Sequence, residues 1–103
     1  MLYQVLGLTP NSVVRAKRYV VRGRVQGVGY RYFAQGVAER LGVRGFVRNI
    51  ANGEVEVHAE ADDLTLQLFK QELKCGPRMA HVTDIAESDV PASGSYSSFL
   101  IRG

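Results

Sequence analysis

The 103-residue chain has one cysteine, Cys75, and no tryptophan. A lone cysteine excludes an intramolecular disulfide and a four-cysteine zinc site. A reducing, cytoplasmic setting is the expectation that follows. No run of about 20 apolar residues occurs, so no membrane span is expected. The mildly apolar start, Met1 to Leu8, lacks a basic region before it and a convincing cleavage site after it, and reads as no signal peptide. Histidine is scarce: His58 and His81 stand apart, without the paired spacing of a metal site. Acidic residues are missing from the first third. Arg15, Lys17, Arg18, Arg22, Arg24 and Arg31 all precede the first acid, Glu39. The net charge of +3 suits an anionic partner, small molecule and nucleic acid alike.

What is present fits one domain with a modest core, at 46% hydrophobic residues. Residues 1–16, with the breaker cluster Thr9-Pro10-Asn11-Ser12, read as an N-terminal extension, and residues 17–103 as the domain. Tyr19 to Val25 is β-rich. Tyr30, Phe33, Ala34, Val37, Ala38 and Leu41 recur at helical spacing, and Gly42 suits the helix end. Gly36 inside this helix costs about 1 kcal/mol relative to alanine, and close packing is one explanation for it. Val43 to Ile50 reads as a second strand, Ala51-Asn52-Gly53 as its hairpin turn, and Glu54 to Ala59 as an alternating third strand. Asp62 is a plausible N-cap for a second helix, with Leu66, Phe69 and Leu73 buried and Leu64 and Leu68 widening that side. Gly76-Pro77 ends it. A fourth strand is expected around Met79 to Glu87 and a short last one over Ser98 to Arg102. The order implies an α+β, ferredoxin-like split βαβ fold: an antiparallel sheet with two helices on one face.

The chemistry concentrates in Gly23-Arg24-Val25-Gln26-Gly27-Val28-Gly29-Tyr30-Arg31, between the first strand and the first helix. The first amides of a helix lack intrahelical acceptors, and the helix dipole is positive there. Glycines let such a loop turn its amides toward a bound group. The backbone N–H groups of Gln26, Gly27, Val28, Gly29, Tyr30 and Arg31 are therefore a candidate anion cradle, and Arg31 adds a planar cationic fork. A dinucleotide fingerprint is ruled out, because Tyr32 stands where its third glycine belongs. No Gly-Lys-Ser/Thr triplet exists for a P-loop. Cys75 does not begin a Cys-x5-Arg phosphatase loop, since His81 holds the arginine position. No Asp-x-Asp motif offers an aspartyl nucleophile.

The stretch GRVQGVGYR resembles the first signature of the acylphosphatase family. Gly45-Phe46-Val47-Arg48-Asn49, followed by Gly53 and Val55, resembles the second at the matching distance. Tyr96 to Arg102 is similar to the family's usual ending. The resemblance runs from about Lys17 to Gly103, with one departure at Ala61, where the family usually has glycine. It implies hydrolysis of a carboxylic–phosphoric anhydride without metal, cofactor or covalent intermediate. On that reading Arg31 grips phosphate oxygens and Asn49 positions the attacking water. A small-molecule acyl phosphate is the implied partner, with no nucleic acid and no membrane, and a monomer is expected. The terminal carboxylate of Gly103 is a candidate partner for Arg31.

Two rivals share this topology. An RNA-binding module is suggested by Arg44-Gly45-Phe46, but Arg48 and Ala51 occupy positions where stacking aromatics belong. The second is a regulatory ferredoxin-like module without catalysis. Asn49 could also merely cap the turn that follows it. Arg22, Arg24 and Arg48 read as solvated charges, and the role of the Gln26 side chain is left unassigned.

Overall fold

The computed structural model describes residues 13–103. Strand β1 (Arg15–Arg24) leads into helix α1 (Tyr30–Leu41). Strand β2 (Arg44–Asn49), a turn at Ala51–Gly53 and strand β3 (Val55–Ala61) form a hairpin. Helix α2 (Asp63–Cys75), strand β4 (His81–Val90) and strand β5 (Phe99–Arg102) complete the chain. The sheet order is β4-β1-β3-β2-β5. The first four strands pair antiparallel, as the ferredoxin-like reading requires. The expectation of a wholly antiparallel sheet is corrected at β5, which pairs parallel to β2. The connector before β5 carries it to the outer edge of β2, and strand direction follows from that path.

Strand alternation separates two faces of the sheet. Tyr19 and Val21 of β1, Val47 of β2, Val55, Val57 and Ala59 of β3 and Phe99 of β5 are buried against the helices. From above they meet Ala34, Val37 and Ala38 of α1 and Leu66, Phe69 and Leu73 of α2. Helix α1 lies over β2 and β5, whereas α2 lies over β3, β4 and β1. Leu64 and Leu68, expected to widen the buried side of α2, are exposed instead. At about 3.6 residues per turn they lie on the side of α2 opposite the Leu66–Phe69–Leu73 stripe, which turns them to solvent.

Three further expectations shift. The first strand begins at Arg15, with Ala16 already buried. Residues 1–12 of the expected N-terminal extension lie outside the described residues. The fourth strand runs from His81 to Val90, displaced toward the connector, because β1 continues upstream and Ala16 pairs with Val90. A Cβ built on Gly36 meets no atom within 4 Å, so close packing is not what selects glycine there.

Gly23, the first glycine of the loop motif, is needed by the fold. It sits at a β-bulge with φ of 123°, where an added Cβ would lie 2.1 Å from the His81 carbonyl oxygen.

Candidate active site

The loop from Val25 to Gly29 leaves the end of β1 and enters α1 with almost no preparation. Gly27 and Gly29 have φ of 74° and 80°, while their non-glycine neighbours keep negative φ. Alternation of this kind turns successive N–H groups to one side and forms an anion-binding nest. A Cβ at either glycine would meet nothing within 4 Å, so the requirement is conformational and not steric. The N-cap of α1 is Gly29, with no side-chain cap and no acid in the first turn. The first helical backbone bond runs from the Phe33 amide to the Gly29 carbonyl, at 3.1 Å. Among the described residues, the amides of Gln26 to Arg31 have no protein acceptor.

The cradle is anchored by its apolar letters. Val25 and Tyr30 are each 1% exposed, and Val28 packs against the core. The Tyr30 hydroxyl donates to the Leu73 carbonyl at 2.7 Å, which locks the start of α1 to the end of α2. Burial pushes its phenol well above the ordinary tyrosine range, so it stays a neutral donor.

Arg31 points along the first turn to the last strand. One guanidinium nitrogen donates to the Arg102 carbonyl at 3.1 Å. Among the described residues, no ion pair joins Arg31 to the Gly103 carboxylate; the holding contact is this main-chain carbonyl. Arg102 is the register partner of Arg48, the residue before Asn49. Asn49 ends β2 on the same face as the buried Val47, beneath α1, and its partner across the hairpin is Val55. It is half-buried, and its side-chain amide has no protein partner among the described residues. The turn-capping alternative for Asn49 therefore has no bond to carry it. That turn closes instead through the Ile50 amide donating to the Glu54 carbonyl at 2.9 Å.

The Gln26 side chain bridges the two parts. Its amide nitrogen donates to the Ile50 carbonyl at 2.9 Å and to the Glu54 carbonyl at 2.8 Å. Loop and asparagine thus sit at one end of the sheet, joined by hydrogen bonds to residues on either side of the turn.

Charge follows the same plan. Of the six early cations, Arg15 pairs with Asp63, Lys17 with Glu87 and Asp89, Arg18 with Glu56, and Arg22 with Glu54 and Asp84. Arg24 and Arg31, which flank the loop, have no acidic partner among the described residues. Of those six cations, the two without an acidic partner are therefore the two beside the loop. At the opposite end of α1, a concavity of about 540 Å³ is lined by Leu41, Arg44, Glu60 and Tyr96 among others. Glu60 there is saturated by His58, the Ser93 hydroxyl and amide, and the Gly94 amide. Burial would raise its pKa, but these donors hold it at about 2. No group of three or more His, Cys, Asp or Glu side chains gathers among the described residues, and none of their helices is long and apolar enough to cross a membrane.

Two features of this site escaped sequence reasoning. The Gln26 bridge could have been suspected from a long primary amide opening a glycine loop. The Arg102 carbonyl had no such signal, because a backbone acceptor is not encoded by its side chain.

The acylphosphatase family model matches residues 17–101. An acylphosphatase of Solibacter usitatus is 48% identical over 91 residues, covering 88% of this chain and 94% of that protein. One from Thermotoga maritima is 42% identical over 89 residues, covering 86% and 98%. The crystal structure of acylphosphatase from Bacillus subtilis superposes with a TM-score of 0.83 at 36% identity, covering 88% of this chain and 100% of that one.

Proposed function

The chain belongs to the acylphosphatase family and hydrolyses acyl phosphates, and from that premise we propose how its own residues do so. The amides of Gln26 to Arg31 bind the oxygens of the phosphoryl group, and the Arg31 guanidinium grips two of them. Asn49 holds a water by accepting one hydrogen bond from it and donating another, which aims its oxygen at phosphorus. The water oxygen bonds to phosphorus, and the bond to the bridging oxygen breaks with its electron pair. The carboxylate leaves and the water's proton passes to a phosphoryl oxygen. A carboxylate is a good leaving group, so no general acid is required. Positioning and charge stabilisation supply the catalysis.

What carries this reading is a helix start that keeps its amides unpaired, beside an arginine and an asparagine tied to the same sheet end. Both halves of the site come from one chain, which supports action as a monomer. A single exposed thiol, Cys75, suits a reducing cytoplasm.

The nucleic-acid alternative depends on the sheet face turned away from the helices, and that face is self-occupied. Phe46 stacks on His58 with ring centroids 5.5 Å apart, and the Arg102 guanidinium lies 4.1 Å above the Phe46 ring. Arg18 and Arg48 converge on Glu56. A small-molecule partner is favoured accordingly.

The test is hydrolysis of benzoyl phosphate with and without EDTA. Full turnover in EDTA, with inorganic phosphate as a competitive inhibitor, is expected. Loss of activity restored by a divalent ion would overturn the metal-free reading.

A further inference from the structure

We propose that Gln26 is a positioning residue whose side chain sets the placement of Asn49 relative to the cradled phosphorus. This rests on the reading above, in which Asn49 aims the water. A primary amide has two N–H donors, and both are used here, on the Ile50 and Glu54 carbonyls. Two carbonyl oxygens can face only the NH₂ end of the amide, so its orientation is settled by chemistry. The Glu54 carbonyl accepts a second bond from the Ile50 amide, so Gln26 grips the pair that closes the turn. Asn49 is the residue immediately before that pair.

The mechanical consequence follows from the connectivity. The main chain of Gln26 begins the cradle, whereas its side chain reaches residues 24 and 28 positions later in sequence. One residue therefore fixes the distance between the phosphate-binding amides and the end of β2. The register pairing of β1 with β3 ends at Val21 and Val55, short of both groups. Arg22 holds the Glu54 carboxylate at 2.8 Å from the open face, so the turn keeps a tether when Gln26 is changed. Removing the Gln26 donors should loosen the aim of Asn49 without unmaking the hairpin. Displacements near 1 Å in reacting groups can cost about 10² in rate.

The experiment is a cycle of Gln26→Met, Asn49→Ala and the double variant, assayed with benzoyl phosphate and with phosphate as inhibitor. Gln26→Met keeps the side-chain length and removes both donors. A fall in kcat of roughly 10- to 100-fold is expected, with phosphate inhibition changed less than about threefold. In the Asn49→Ala background the same substitution should change kcat less than about threefold. Gln26→Glu provides a second variant: its neutral acid can donate one bond and its carboxylate none, so its activity relative to wild type should recover as pH falls from 7 to 5. An undiminished Gln26→Met effect in the Asn49→Ala background, or phosphate affinity falling as steeply as kcat, would overturn the proposal. If Asn49→Ala itself leaves kcat unchanged, the water-positioning reading fails first, and that result is distinct from additivity.

Discussion

The two helices start in opposite ways. Helix α2 has Asp62 as its N-cap, accepting from the Thr65 amide at 2.8 Å, and Asp63 in its first turn. Helix α1 has Gly29 as its N-cap, no capping side chain and no acid in its first turn. Both helices are of similar length and pack on the same sheet. One supplies its own anion; the other leaves its amides and dipole unsatisfied by the chain, as the proposed phosphate site requires. A self-capped helix gains stability, typically about 1 kcal/mol, and gives up an anion site in return. On the proposed mechanism, the missing cap of α1 is what admits the phosphoryl group, and Arg31 adds to it.

The largest break in this contrast should come from Arg31→Ala. It leaves a bare helix start, and kcat/KM for benzoyl phosphate should fall by at least about 10²–10³, since a preorganised donor to developing charge is lost. Near wild-type turnover would remove Arg31 from the site. Asn49→Ala comes next. It should lower kcat by about 10- to 100-fold while competitive inhibition by phosphate stays nearly intact; parallel loss of both would make Asn49 a phosphate ligand.

On the other helix, Asp62→Ala should cost about 1 kcal/mol in urea unfolding with kcat and phosphate inhibition unchanged. The Thr65 amide holds the Asp62 carboxyl below its ordinary value of 3.8. Its contribution is therefore complete above that pH and is lost as pH falls through the depressed value. The wild type and Asp62→Ala should converge in stability under strong acid, and a constant gap would refute the carboxylate's role. The smallest effect should come from Tyr32→Glu, which gives α1 the first-turn acid that α2 already has. Tyr32 is 78% exposed, so little packing is lost. Stability should rise by about 0.3–1 kcal/mol while phosphate inhibition weakens roughly two- to fivefold. Phosphate affinity that does not respond would show that the dipole end contributes nothing to binding.

Much of the contrast is legible in the sequence. Asp62 as a cap, Gly42 as a stop and the periodicity of α1 are local signals, and the structure reproduces them. Leu64 and Leu68 differ from the expectation because about 3.6 residues per turn put them on the side of α2 opposite Leu66, Phe69 and Leu73; their apolar character, not their spacing, suggested burial. Strand β5 misled because four residues carry no mark of direction, which is set by the route of the connector. Gln26 was legible as a loop residue but not as a bridge. Its partners are carbonyls 24 and 28 positions away, brought near only when β1 and β3 pair.

A ferredoxin-like order of elements, and an uncapped helix start rich in glycine with an arginine in its first turn, are already written in the order of residues. These are short-range properties: backbone preference, apolar period and the lack of a capping side chain. Folding adds what they do not contain: Arg31 held by the Arg102 carbonyl, Asn49 on the helix-covered face of β2, and Gln26 tying the two sides together. Each of those depends on hydrogen bonds between main-chain atoms and side chains far apart in sequence. Such bonds exist only once the sheet has brought its strands into register.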